Sequence, residues 1–279
     1  MTSATKGRLH TLAVGTAGPR IAFLHGLFGQ GRNWSQIARL LVGPTEDQAR
    51  CLLLDLPDHG RSPWTDHFSL QAYAATVAAH LRAVGAGERW AIVGHSLGGK
   101  VAMLVALSQP DLVERLAVMD IAPRTYDSHD WVLDYIDALR DLPLADLADR
   151  AAADQALSVA VPQPSVRAFL LQNLRRHGHT WHWQVNLDVL AGGGPGGTTV
   201  GDWPAADATA YRPFRRPVLW VGGAESPYIA EADVPAMRAL FPRVRQVTVN
   251  DAGHWLHAEQ PQIVAEILRR FAVAQGRRH

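Results

Sequence analysis

The sequence predicts an α/β protein built on a doubly wound, mostly parallel sheet with an inserted helical cap. Short apolar segments recur along the chain, helical patterns separate them, and one long interval lacks a strong strand pattern. Strands that alternate with helices are typical of a sheet that is covered on both faces. The 279 residues are enough for one large domain of this kind, because single hydrophobic cores stop growing at about 250–300 residues.

Seven apolar segments predict the strands. Six of them are continuous rather than alternating, as expected for strands buried on both faces, and the seventh, at 10–14, predicts an edge strand. Between them, apolar residues at three- and four-residue spacing predict helices, most clearly over 70–84 and 263–271. The six continuous segments are IAFLH (21–25), CLLLDLP (51–57), WAIVGHS (90–96), RLAVMDIA (115–122), PVLWVGG (217–223) and RQVTVND (245–251).

The interval from about 125 to 210 breaks this alternation. Helical patterns, proline, glycine and tryptophan accumulate there without a strong strand. We therefore predict a core formed by residues 1–124 and 205–279, interrupted by a helical cap at 125–204. The segment AGGGPGGTTVG (191–201) is too rich in glycine to hold a helix or a strand, so a mobile loop is expected there.

Composition and charge exclude several classes of function. Lysine and arginine number 27 against 26 aspartate and glutamate, and a net charge this close to zero offers no field for nucleic acid or anionic membranes. The single cysteine, Cys51, allows no internal disulfide and no cysteine-based metal centre. The longest apolar run, at 101–107, is too short to span a bilayer. The opening residues lack the pattern of a secretory signal, so a cytoplasmic location is expected.

A G-x-S-x-G pattern, Gly94 to Gly98, lies where a predicted strand passes into a helix. Such a turn exposes its serine at a strained backbone position, and the flanking glycines avoid the collisions that a Cβ would cause. Ser96 is therefore the predicted nucleophile. The N–H of Leu97 is the first predicted donor to an oxyanion, since the start of a helix favours developing negative charge.

The second oxyanion donor is predicted in the segment His25-Gly26-Leu27-Phe28-Gly29, a glycine-rich turn after a predicted strand. Leu27 N–H is favoured there, and Phe28 N–H is an alternative donor. A tight turn between strand and helix would equally explain Gly26 and Gly29 taken by themselves. The serine turn downstream favours the functional interpretation.

A serine hydroxyl needs a base at neutral pH, and the sequence offers thirteen histidines. His254, just after the last predicted strand, is the best placed, with His257 as its rival one helical turn on. The imidazole in turn needs a carboxylate, for which Asp120 and Glu225 compete at the ends of two other strands. Asp120 is favoured because it lies in an apolar stretch, where an unpaired carboxylate would be costly to bury. Glu225 stays open as the alternative acid.

Taken together, these residues resemble the α/β-hydrolase superfamily, and within it the YbfF-type esterases and the related abhydrolase-domain-containing protein 11 group. In this family the serine of GHSxGGK is the nucleophile, the histidine of AGHW is the base, and the aspartate of the DIAP segment can complete the triad. The resemblance therefore implies these roles for Ser96, His254 and Asp120. It covers nearly the whole chain through the segments HGLFGQGRNW (25–34), LDLPDHGRSP (54–63), GHSLGGKVAM (94–103), VMDIAP (118–123), FLLQNL (169–174), SPYI (226–229) and AGHWLHAEQP (252–261).

The resemblance implies hydrolysis of acyl esters, and of acyl thioesters such as acyl-CoA, with no metal or organic cofactor. The expected partner is a small-molecule acyl ester, and the turn at 55–61 is given no catalytic role. Cofactor-free perhydrolysis of the haloperoxidase type, carbon–carbon bond hydrolysis and ligand reception without turnover use the same fold and remain alternatives. Aromatic residues are expected to line an apolar acyl pocket, namely Phe28, Trp34, Trp181, Trp183, Tyr228 and Trp255.

Two further patterns suggest other chemistry but fit it poorly. The segment 94–100 matches most of a phosphate-binding loop, yet Val101 stands where Ser or Thr would hold magnesium. His177, His179 and His182 suggest a metal site, but no firm carboxylate partner accompanies them. A position at the surface of the cap or at the wall of a pocket is the favoured interpretation of these three histidines.

Overall fold

A computed structural model of the chain describes residues 8–45, 48–126, 130–192, 199–204 and 211–273. In chain order, its strands are β1 (Thr11–Val14), β2 (Arg20–Leu24), β3 (Arg50–Leu54), β4 (Trp90–His95), β5 (Val113–Met119), β6 (Leu174–His177), β7 (Thr180–Trp183), β8 (Val218–Gly223) and β9 (Val244–Val249). Seven of them form one sheet in the order β1-β3-β2-β4-β5-β8-β9. β1 runs antiparallel to β3 at the edge, and the other neighbours are parallel.

Helices cover both faces of this sheet, which confirms the predicted doubly wound fold. In chain order, the helices within the described ranges are α1 (Ser35–Val42), α2 (Leu70–Gly85), α3 (Leu97–Ser108), α4 (Asp130–Arg140), α5 (Arg150–Leu157), α6 (Pro164–Leu171), α7 (Leu187–Leu190), α8 (Val234–Leu240), α9 (Leu256–Glu259) and α10 (Pro261–Leu268). On one face α1 and α10 pack on the sheet, and on the other α2 and α3 do so. None of these helices is long and apolar enough to cross a membrane.

The residues of β2 show why the apolar runs in the sequence are continuous. Ile21 and Phe23 point to the layer of α1 and α10, whereas Ala22 and Leu24 point to the layer of α2 and α3. All four are fully buried. Successive side chains of a strand alternate between its faces, so a strand covered on both faces needs an apolar residue at every position.

The segment between β5 and β8 holds α4 to α7, as predicted, but it also contains an antiparallel hairpin of β6 and β7. The prediction that this interval lacks strands is wrong at this point. Gly178 adopts a φ of 60° in the two-residue turn, and glycine at such a position is typical of tight hairpins. The alternation of polar and aromatic residues in TWHW (180–183) was the sequence pattern that could have indicated a strand here. The cap boundaries at 125 and 204 stay a prediction.

The glycine-rich segment at 191–201 falls mostly outside the described ranges, which omit 193–198. Its predicted mobility therefore stays a prediction. Residues 199–204, which include the end of this segment, are described, and their main chain packs against helix α3. Lys100 of that helix makes these contacts.

Candidate active site

The functional residues predicted from the sequence meet at the carboxyl ends of the parallel strands. Because β2, β4, β5, β8 and β9 are parallel, their carboxyl ends lie together, and ligands in open α/β sheets bind at that edge. The turn at 25–29 follows β2, Ser96 follows β4, and Asp120 follows β5. His254 lies in the loop after β9.

Ser96 occupies a strained turn between β4 and α3. Its φ of 51° and ψ of −119° are rare for a residue with a side chain, and its N–H donates to the carbonyl of Met119 at 3.0 Å. A Cβ on Gly94 would lie 2.2 Å from the oxygen of Gly98, and a Cβ on Gly98 would lie 2.5 Å from the oxygen of His25. Both positions therefore require glycine if the serine is to be presented in this way.

Asp120 and His254 form a direct pair. The Nδ1 of His254 lies 2.7 Å from Oδ2 of Asp120, and the carboxylate is fully buried. Gly223 N–H donates to Oδ1 at 3.1 Å, and the hydroxyl of Ser226 donates to Oδ2. The buried carboxylate is thus held by donors on two sides, in a geometry that fixes the orientation of the imidazole.

Glu225, the alternative acid, lies elsewhere. Its backbone N–H donates to the carbonyl of Ala252 at 3.0 Å, but its side chain is exposed. No hydrogen bond or ion pair joins that side chain to His254 or to any other residue in the described ranges. The geometry favours Asp120 over Glu225.

His257, the alternative base, also differs from His254. Its ring stacks on Trp34 with centroids 4.6 Å apart, and its Nδ1 has no partner among the described residues. Burial, followed by the charge of the nearby His254, lowers the pKa of His257 to about 3. An imidazole with so low a pKa is a weak base at neutral pH, and no carboxylate in the described ranges is bonded to it.

The backbone amides of Leu27 and Leu97 are the oxyanion donors predicted from the sequence. Neither Leu27 N–H nor Leu97 N–H donates to an acceptor within the described part of the chain, and both residues line a cavity together with Ser96. The alternative donor, Phe28 N–H, instead donates to Nε2 of His59 at 3.3 Å. Because this amide already donates to a buried protein acceptor, the geometry favours Leu27 over Phe28 as the oxyanion donor in this turn.

The turn at 25–29 is held in place by side chains that the sequence analysis did not single out. The carbonyl of Phe28, whose φ is 59°, accepts from Nδ2 of Asn173 at 2.8 Å and from Nε2 of Gln172 at 3.1 Å. His25 accepts from Leu56 N–H at 3.0 Å through its Nε2. Gln172 and Asn173 belong to the segment FLLQNL, which is one of the segments that carry the family resemblance. Only the structure shows that they contact the turn at 25–29.

Ser96 lines two cavities. The His254 cavity is lined by Ser96, His254, Phe28, Trp255 and Phe169, among others. The Lys100 cavity is lined by Ser96 together with Leu27, Leu97, Lys100, Ile121, Tyr126, Val132, Val200, Gly201 and Tyr228. Of the aromatic residues predicted for a pocket, Phe28, Tyr228 and Trp255 therefore lie beside Ser96.

The other three predicted aromatic residues line neither of these cavities, so the prediction that they line the pocket does not agree with the structure. Trp34 is fully buried against Phe23 and His257. Trp181, in the hairpin, donates its Nε1–H to the carbonyl of Leu147 at 2.8 Å. Trp183 is half-buried against the large core cluster. Core and hairpin packing explains all three.

The histidines of the hairpin are exposed, as expected for a surface position. These exposed residues are His177, His179 and His182. In the described ranges, no group of three or more histidine, cysteine, aspartate or glutamate side chains is arranged to hold a metal ion.

Comparison with known proteins gives the family. The alpha/beta hydrolase fold family matches residues 19–261. The chain belongs to this family. The sn-1-specific diacylglycerol lipase ABHD11 of Xenopus laevis is 37% identical over 247 residues, which cover 87% of this chain and 76% of that protein. Esterase YbfF of Escherichia coli is 30% identical over 253 residues, covering 90% of this chain and 92% of that protein.

The solved structures agree with the sequence relatives. A marine microorganism esterase superposes with a TM-score of 0.84 at 30% identity, covering 95% of this chain and 99% of that one. The resemblance to the α/β-hydrolase superfamily is therefore confirmed. The predicted enzyme class, a carboxylic ester hydrolase, is confirmed as well, since the relatives named here are esterases and a lipase.

Proposed function

We propose that this alpha/beta hydrolase cleaves acyl esters, and acyl thioesters, through Ser96, His254 and Asp120. The observation that carries the proposal is the 2.7 Å contact between His254 Nδ1 and Asp120 Oδ2. Support comes from the cavity that Ser96 and His254 line together. The names of the esterase and lipase relatives support the substrate class.

In the first half of the proposed reaction, Ser96 adds to the carbonyl carbon of the substrate. His254 donates its Nδ1–H to Asp120, which leaves Nε2 free to accept the proton of the serine hydroxyl. The carbonyl oxygen becomes an oxyanion that Leu27 N–H and Leu97 N–H stabilise. Each such donor typically accounts for about 10²–10³-fold in rate.

His254 then returns the proton to the departing alcohol or thiol, and the bond between the carbonyl carbon and that group breaks. An acyl ester of Ser96 remains. Water adds to the acyl carbon with His254 again as the base, the bond between that carbon and Ser96 Oγ breaks, and His254 returns the proton to Oγ as the carboxylic acid leaves. Asp120 stays ionised throughout and stabilises the imidazolium that forms in each half.

Hydrolysis of p-nitrophenyl acetate by the purified protein tests the proposal. We expect turnover by the wild type and a loss of at least ~10³-fold in kcat for Ser96→Ala, because the residual binding and oxyanion donors cannot replace the nucleophile. Ser158→Ala is the matched control, since this hydroxyl only donates to the carbonyl of Gln155. Unchanged turnover by Ser96→Ala would contradict the proposal. Tight ligand binding by a wild type without turnover would favour a receptor instead.

A further inference from the structure

The two cavities beside Ser96 differ in their access to His254. His254 lines the cavity named after it and is absent from the lining of the Lys100 cavity. The ring of Tyr228 lines the Lys100 cavity and stacks on His254, with centroids 3.9 Å apart and planes 20° apart. The imidazole therefore faces only one of the two spaces that meet at the serine.

We infer that the Lys100 cavity receives the acyl part of the ester and that the His254 cavity receives the alcohol or thiol part. This assignment rests on the proposed function. In the tetrahedral intermediate, His254 must give its proton to the leaving oxygen or sulfur, so that atom has to lie within hydrogen-bond reach of the imidazole. The acyl chain extends from the same carbon in the other direction, away from His254 and past Tyr228.

The sizes of the cavities then set different limits on the two halves of the substrate. The Lys100 cavity has a volume of about 60 Å³. The His254 cavity, at about 40 Å³, shares Asn33, Val166, Phe169, Trp255 and His257 with an outer cavity of about 310 Å³. The alcohol side can thus continue outward between α6 and the loop after β9. The enzyme should accept a short acyl group joined to a long or bulky alcohol.

Lys100 does not make the acyl side a site for anions. Its ammonium group donates to the carbonyl of Gly201, to that of Asp202 at 3.0 Å and, at 3.5 Å, to that of Val200. Three acceptors match the three protons of the ammonium group. Apolar residues, among them Ile121 and Val132, line the same space. The acyl group that fits there is neutral and apolar.

Two series of esters test the assignment in the wild type. The first series keeps p-nitrophenol as the leaving group and lengthens the acyl chain from acetate to octanoate. The second keeps acetate and lengthens the alcohol from methanol to octanol. We expect kcat/KM to fall at least ~10-fold along the acyl series, since one excess methylene in an apolar pocket costs about 10–200-fold, and to change less than ~3-fold along the alcohol series. The opposite pattern would overturn the assignment.

Two valines provide matched variants. Val132 on α4 lines the Lys100 cavity, and Val166 on α6 lines the His254 cavity and the outer cavity. We expect Val132→Phe to steepen the fall along the acyl series and leave the alcohol profile unchanged. Val166→Phe should lower kcat/KM for long alcohols and leave the acyl profile unchanged. Val132→Ala and Val166→Ala, which remove bulk, should move the same profiles in the opposite direction and serve if a phenylalanine variant does not fold.

The outcomes separate this inference from the function on which it rests. If the wild type and Ser96→Ala both fail to hydrolyse every ester, the proposed function fails. If hydrolysis depends on Ser96 but Val132 variants change the alcohol profile, or Val166 variants change the acyl profile, only the assignment of the cavities fails. Variants that change neither profile would contradict it as well.

Discussion

The turns that carry Ser96 and Asp120 are held by hydrogen bonds to neighbouring strands of the sheet, whereas the turn at 25–29 is also held by residues that follow α6. Ser96 N–H donates to Met119 on the neighbouring strand, and Asp120 N–H donates to Val221 at 2.8 Å. The carbonyl of Phe28 instead depends on Gln172 and Asn173 at the end of α6. Ser96 and Asp120 are thus fixed by the core, whereas the turn at 25–29 also depends on the segment between β5 and β8.

This difference separates two kinds of change to the activity. Damage to the pair of Asp120 and His254 should act on the chemistry directly. A substitution at Asn173 should instead displace the turn and with it a backbone amide. This displacement would weaken the hydrogen bond from the amide to the oxyanion without removing the donor.

The largest effect is expected from the acid. Asp120→Asn should lower kcat by about 10⁴-fold, because an amide in this position favours the wrong tautomer of the imidazole and cannot stabilise its cation. Glu225→Gln, the matched removal of a carboxylate, should change kcat by less than ~2-fold, since its exposed side chain has no partner in the described ranges. Steady-state hydrolysis of p-nitrophenyl acetate measures both. A large loss in Glu225→Gln alone would assign the acid to Glu225.

An intermediate effect is expected at the outer support of the oxyanion turn. Asn173→Ala removes the buried donor to the Phe28 carbonyl and should lower kcat by ~10–100-fold, less than the loss of a whole oxyanion donor. Gln155→Ala on α5 is the control, because its side chain is exposed. Thermal unfolding measured in parallel separates misplacement from loss of the fold. A fully folded Asn173→Ala with unchanged kcat would show that the turn does not depend on this contact.

The smallest effect is expected on the free energy of unfolding at acidic pH. Burial is the largest cause that lowers the pKa of His59 to about 3, while the unfolded imidazole titrates near its usual 6.5. Between these values the unfolded chain binds a proton that the folded chain does not, so stability falls as the pH falls from about 6.5 towards 3. One such group contributes up to ~1.4 kcal/mol per pH unit.

Urea unfolding at pH 7, 6 and 5 measures this slope. His59→Gln should be less dependent on pH than the wild type, because the titrating group is gone while its side chain can still accept from Phe28 N–H. His67→Gln is the control, since His67 is exposed. Equal slopes for the wild type and His59→Gln would contradict the proposed role of His59.

The sheet and the turn that carries Ser96 were easier to predict from the sequence than the contacts made by the segment between β5 and β8. The strands were predictable because burial on both faces requires the continuous apolar runs at 21–25 and 90–96. The turn that carries Ser96 was predictable because a Cβ on Gly94 or Gly98 would lie under 3 Å from nearby backbone. The preference for Asp120 over Glu225 came from the cost of burying an unpaired carboxylate, and the contact with His254 agrees with it.

What could not be predicted depends on contacts between distant parts of the chain. Asn173 and Phe28 are 145 residues apart, and no local pattern indicates that they meet. Trp34 and Trp181 were misassigned for a similar reason, because an aromatic residue that fills the core and one that lines a cavity look the same in sequence. The hairpin of β6 and β7 was not predicted because each strand has only four residues and the two contain mostly arginine, histidine and tryptophan instead of aliphatic residues.

Labelling with a fluorophosphonate tests most directly whether Ser96 is an activated nucleophile. The reagent forms a covalent bond only with a serine that a neighbouring base activates and whose oxyanion is stabilised. We expect stoichiometric labelling of the wild type, with peptide mass mapping to Ser96 and with labelling lost in Ser96→Ala and strongly slowed in Asp120→Asn. A folded wild type that stays unlabelled, or one labelled at another serine, would contradict the assignment of Ser96, His254 and Asp120.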